Sequence, residues 1–148
     1  MAKITAENAG KQEFIVLLRE LVRAYQAFSN FDAAGLRQAK LSQSQADVIF
    51  TLGNTQGLTF KAIGDSTLIT KGTLTGVIDR LEKKGLVTRI LVPDDRRCTL
   101  VKLTAQGNKV FEKEFPRQIS YLKERFDRLS KTERQQAVVM LKKIRALF

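Results

Sequence analysis

"TKGTLTGVIDRLEKKGLVTRILVPDDRRCTLVKLTAQG", residues 70–107, changes periodicity halfway along. Leu74, Val77, Ile78 and Leu81 recur at three- and four-residue steps, which predicts a helix over 70–84 with one buried stripe. Gly85 suits the left-handed position just past a helix end, and Leu86 can then pack back on Leu81. Residues 86–92 ("LVTRILV") and 98–103 ("CTLVKL") are rich in β-branched and aliphatic side chains and read as the strands of a hairpin. Pro93, Asp94, Asp95, Arg96 and Arg97 lie between them, a knot of opposite charges at the expected tip. A turn tied by a surface ion pair is the plain explanation of such a knot. Two arginines on an exposed spike suggest instead that it reaches something.

Working outward, Thr59 is placed to cap a short helix through Phe60 and Ile63 that ends near Gly64 and Asp65. Residues 59–84 therefore read as a short helix, a turn and a second helix. Ser42 and Gln45 have capping-box spacing and open an earlier helix whose apolar side is Val48, Ile49 and Leu52. "GNTQGL", residues 53–58, reads as a loop. Phe14, Leu17, Leu18, Leu21, Val22, Tyr25 and Phe28 mark a long first helix, and "NFDAAGLRQAK", residues 30–40, reads as a connection. Thr104 starts the helix after the hairpin, with Val110, Phe111, Phe115, Ile119, Leu122 and Phe126 on one side. Pro116 should bend or split it, because its ring crowds the carbonyl of Glu112 and removes a donor. Ser130 and Glu133 repeat the capping box before a last helix carrying Val138, Leu141, Ile144 and Phe148.

The expected fold is one mainly α domain, residues 1–148, with a small β-hairpin wing. A helix-turn-helix core over about 41–104 is flanked by apolar helices over about 10–30 and 105–148.

Composition limits the chemistry. The 148 residues carry 43% hydrophobic and 28% charged side chains and a net charge of +11. That excess favours a polyanionic partner such as nucleic acid. The absence of histidine removes His-based acid–base catalysis and His metal sites, and no acidic cluster suggests a metal. Cys98 stands alone, so there is no intrachain disulfide and no cysteine-cluster zinc site. No nucleophile–base pair, glycine-rich phosphate loop or cofactor motif is visible, which argues against an enzyme. The N-terminus lacks a signal-peptide core and no apolar run approaches membrane-spanning length, so a cytoplasmic chain without membrane attachment is expected.

With Leu74, Val77, Ile78 and Leu81 inward, the helix over 70–84 turns Lys71, Gly72, Thr75 and Gly76 outward, with Thr73 near the edge of that face. Short hydroxyls, glycines and one lysine make a slim surface that can enter a major groove and meet base edges. Thr70 and the free amides of the first turn suit a phosphate. Each glycine weakens an isolated helix by up to about 1 kcal/mol relative to alanine. Close approach to another surface accounts for them; packing on a neighbouring helix is the alternative. Beside such a helix, Arg97 on a narrow hairpin can reach a minor groove, Asp95 can orient the arginine by pairing with it, and Arg96 can meet phosphate.

"TKGTLTGVIDRLEKKGLVTR" followed by "PDDRRCTLVKLTAQG" resembles the MarR family of winged-helix transcription regulators, and the resemblance extends from about residue 10 to the end. Its most specific part is Asp95-x-Arg97 followed by Leu103-Thr104 and Gly107, joined to "RLEKKGLV". The resemblance implies a homodimer, built from the N-terminal helix and the two C-terminal helices, on pseudo-palindromic double-stranded DNA. It marks Thr70, Lys71, Gly72, Thr73 and Thr75 as base- or phosphate-contacting candidates and Arg97 as the minor-groove residue. The excess of large apolar residues on the outer helices supports the dimer separately, with Phe14, Leu18, Leu21, Val138, Leu141 and Ile144 as interface candidates.

Family members often respond to small phenolic or other lipophilic effectors, or to cysteine oxidation. The oxidant-sensing pattern needs a cysteine in the N-terminal helix, and residues 1–30 hold none; Cys98 on the wing reads as a small buried hydrophobe. The reading is thus a sequence-specific regulator, with repression the expected sign. The competing one is a nonspecific, architectural nucleic-acid binder, which charge alone would permit.

Overall fold

A computed structural model describes residues 3–148, apart from the side chain of Arg96. The elements run α1 (Phe14–Leu36), α2 (Gln43–Leu52), β1 (Leu58–Thr59), α3 (Phe60–Thr67), α4 (Lys71–Lys83), β2 (Val87–Val92), β3 (Asp95–Leu103), α5 (Ala105–Phe126) and α6 (Lys131–Arg145). Three strands form an antiparallel sheet in the order β1-β3-β2. The helix-turn-helix and the wing are both present as expected.

Local chemistry explains most boundaries. Ser42 and Ser130 close full capping boxes with Gln45 and Glu133, and Thr59 and Thr104 accept from the amides of Ala62 and Gly107. At the end of α4, Gly85 has φ 73°, its amide bonds Glu82 O, and the Leu86 amide bonds Leu81 O at 3.0 Å. This six-to-one closure stops the helix and turns the chain straight into β2.

The core gathers Leu36, Val48, Ile49, Leu52, Ile63, Leu74, Ile78, Leu81, Val87 and Val101, each nearly without exposure. Phe111 of α5 joins it and stacks on Phe115, which tilts against Phe50 of α2. The first half of α5 therefore packs on the winged core.

Four expectations are corrected. Residues 30–36 continue α1 instead of forming a connection. Gly35 lies inside that helix: Gln118 and Tyr121 occupy the space a Cβ would need, so glycine admits α5 against α1. α3 runs on to Thr67, where Leu68 at φ 60° ends it, not to Gly64 and Asp65. Leu58 and Thr59 form a short strand on β3 inside what reads as loop and cap. α5 passes through Pro116 without interruption. On either side of the proline, Phe111 and Phe115 lie in the core, and Arg117 and Gln118 bond Gly35 O and Asp32 of α1. These anchors hold the helix across one missing backbone bond.

The outer helices are different. α6 buries no residue, and Phe14, Leu18, Val138 and Leu141 are each about half exposed or more, while Leu21 and Ile144 are half-buried.

Candidate nucleic-acid interface

α4 seals one face in the core and leaves the other open. Lys71, Gly72, Thr73 and Thr75 are exposed, as is Thr70 at the N-cap. A Cβ on Gly72 would meet nothing within 4 Å, and one on Gly76 only the tip of Arg80. The glycines therefore do not pack on a neighbouring helix; they keep the outer face low. The N-terminus of α4 also differs from those of α2, α3, α5 and α6. Thr70 makes no side-chain cap, its hydroxyl lying 3.1 Å from that of Thr73. The first-turn amides thus have no side-chain acceptor of their own and can serve an external one. The Thr75 hydroxyl donates back to Lys71 O at 3.3 Å, which leaves its oxygen free to accept.

The wing departs from its expected form. β3 begins at Asp95, so only Pro93 and Asp94 form the turn. Leu91 pairs with Thr99, yet the next residue, Val92, pairs with Asp95. Arg96, Arg97 and Cys98 are therefore extra residues bulged out of β3, a device that re-aims side chains. Asp95 closes the bulge by accepting the Arg97 backbone N–H at 3.0 Å. The expected pairing of the two side chains is absent among the described residues. Asp95 shapes the main chain beneath the arginine, and the Arg97 side chain is exposed. The side chain of Arg96 lies outside the described residues. Cys98 is half-buried within the bulge and is no core residue.

One functional residue escaped the sequence reading. Arg89 of β2 bonds Glu82 at 2.6 Å and also Asp79, both on α4, and its guanidinium lies 5.7 Å from the centroid of the Phe60 ring on α3. It fixes the wing to both helices of the helix-turn-helix. A lone arginine in a strand has no pattern that announces this.

Behind α4, a cavity of about 760 Å³ opens between α1, α2 and α5. Phe28, Asp32, Asp47, Phe50 and Gln118 line it, together with Thr67, Leu68 and Ile69, the three residues that lead into Thr70. The Asp32 carboxylate accepts from Gln43 Nε2 at 2.9 Å and from Gln118 Nε2 at 2.8 Å. Burial, and then the charge of Asp32, raise the Asp47 carboxyl above its ordinary value. No helix among the described residues is long and apolar enough to cross a membrane, and no group of residues there could hold a metal ion.

The comparisons agree with this architecture. The sequence pattern of the MarR family matches residues 41–99. The HTH-type transcriptional regulator FarR of Neisseria gonorrhoeae is 30% identical over 126 residues, 85% of this chain and 84% of that protein. The solved structure of Bordetella bronchiseptica BpsR, whose DNA binding is regulated by 6-hydroxynicotinic acid, superposes with TM-score 0.76 at 29% identity, covering 86% of this chain and 97% of the other. NadR in complex with 4-hydroxyphenylacetate superposes with TM-score 0.64 at 28% identity, covering 99% and 94%. Family pattern, relatives and winged-helix geometry converge on one assignment: the chain belongs to the MarR family of DNA-binding transcriptional regulators.

Proposed function

We propose that this regulator is a cytoplasmic, sequence-specific repressor that binds a pseudo-palindromic operator as a homodimer and is released by a small ligand. The observation that carries the specific reading is the open face of α4, where Gly72 and Gly76 keep Lys71, Thr73 and Thr75 unobstructed. A nonspecific binder needs positive charge; it has no use for a low, hydroxyl-lined helix face. The bulged wing supplies Arg97 as the minor-groove element. Half-exposed Val138 and Leu141 on a helix that buries nothing support the homodimer, because apolar faces of this kind mark association surfaces.

Release has a physical route. The cavity touches the turn at residues 67–69, so a ligand there bears on the start of the DNA-reading helix. BpsR and NadR respond to or bind small aromatic acids, which favours a small aromatic effector here as well.

Selection of bound sequences from random double-stranded DNA tests the core of this reading. The expected consensus has two-fold symmetry, with half-sites about 10 base pairs apart. Failure to enrich any sequence would leave the nonspecific architectural reading standing instead.

A further inference from the structure

The chain has a net charge of +11, yet the cavity between α1, α2 and α5 is acidic. The residues lining the cavity between α1, α2 and α5 include Asp32 and Asp47, and neither lysine nor arginine is among them. Tyr25, Phe28, Phe50 and Phe115 supply its aromatic walls. We propose that this cavity selects an aromatic or otherwise apolar cation, such as an arylalkylamine, and disfavours carboxylates. The inference rests on the small-ligand part of the function proposed above and narrows its chemistry.

Three observations carry it. First, the wall's strongest polar atoms are acceptors. Asp32 is held in place by the amides of Gln43 and Gln118, and Asp47 has no counter-ion among the described residues. An ammonium group carries only donors and matches such a wall, whereas a carboxylate offers two more acceptors and a repelling charge. Second, Gln118 lines the same wall, is 2% exposed, and its Oε1 is buried without a donor, lying close over Gly35. One buried acceptor beside this wall thus has no donor. Third, Tyr25, Phe28, Phe50 and Phe115 line the cavity, and aromatic rings attract cations through their faces. Burial first, and the like charge of Asp32 second, raise the Asp47 carboxyl, and a bound cation would offset the second of these.

Matched probes test the inference on the full chain. Tyramine, 4-ethylphenol and 4-hydroxyphenylacetate share a phenol ring and carry an ammonium, no charge and a carboxylate. Calorimetric titration should show tyramine binding at least about tenfold tighter than 4-hydroxyphenylacetate. That ratio should shrink in Asp47→Asn and shrink further when Asp32→Asn is added. A carboxylate bound as tightly as the amine, or a ratio unmoved in both variants, overturns the charge selectivity. Binding of 4-ethylphenol with no preference between the charged probes does the same while leaving the cavity a ligand site. Binding of none of the three removes the small-ligand reading itself, and this inference with it.

Discussion

The apolar stripes of α4 and α6 follow the same three- and four-residue rhythm and meet opposite fates. On α4, Leu74, Val77, Ile78 and Leu81 are at most 4% exposed; on α6, Val138 and Leu141 are 50% and 53% exposed. Periodicity says which face of a helix is apolar and is silent on what covers it. The winged core covers its own faces within one chain. The outer helices leave theirs uncovered within one chain, and a second copy is the occupant proposed for them.

The comparison breaks most visibly under substitution. Ile78→Ala removes a fully buried side chain from the middle of the core and should destabilise the protein by about 2–5 kcal/mol in chemical denaturation. A loss below about 1 kcal/mol would mean that α4 is not an integral wall of the core. Leu141→Asp acts on the other region. Because Leu141 is half exposed in the single chain, the aspartate should separate the dimer while leaving the winged core folded. Sedimentation should report a monomer with most of its helical signal retained, whereas an intact dimer would place Leu141 outside the interface.

Two smaller effects are expected within the candidate DNA-contacting region. Lys71→Ala should lower the salt dependence of operator binding by about one unit of slope, as expected for one lost phosphate contact. Thr75→Ala, which changes no charge, should alter base preference and leave that slope alone. Equal slopes for Lys71→Ala and the parent would exclude a phosphate role for Lys71.

The smallest effect concerns the cavity. The folded Asp47 carboxyl is raised above its unfolded value, so the folded chain holds the proton more readily. Stability therefore falls as pH rises from the ordinary aspartate range through the raised folded value. Asp47→Asn should raise the Tm slightly at pH 7, and the difference should vanish below the ordinary aspartate range. A variant that melts below the parent at pH 7 would show that the Asp47 carboxylate makes a favourable contact.

The helix-turn-helix, its caps and the hairpin were legible in sequence because each rests on local chemistry. Ser42–Gln45, Ser130–Glu133 and the Gly85 closure depend on residues three to five apart, and all three form. What was misread depends on distant partners. Residues 30–36 read as part of a connection until Gln118 and Tyr121, more than eighty residues beyond Gly35, are seen packed against it. Pro116 reads as a break until the anchors on both sides are in view. β1 has only two residues and exists because β3 offers it an edge. In the candidate interface, the outward face of α4 followed directly from its inward stripe. The β3 bulge and the Arg89 ties did not, because register and cross-element ion pairs leave no periodic trace. Asp95 is expected to orient Arg97 by pairing with its side chain, and it accepts the Arg97 backbone N–H instead.

That bulge matters only if Arg97 reads DNA from it, and specific recognition by α4 and the wing together is the central claim. The direct measurement is a titration of the parent and Arg97→Ala against two operators that differ only in their flanks, one A·T-rich and one G·C-rich. The account predicts a loss of about 1–3 kcal/mol in affinity with fold and dimer intact, larger on the A·T-rich site because narrow minor grooves concentrate negative potential. If Arg97→Ala binds both operators as tightly as the parent, the wing is a solvated turn and the minor-groove contact does not exist.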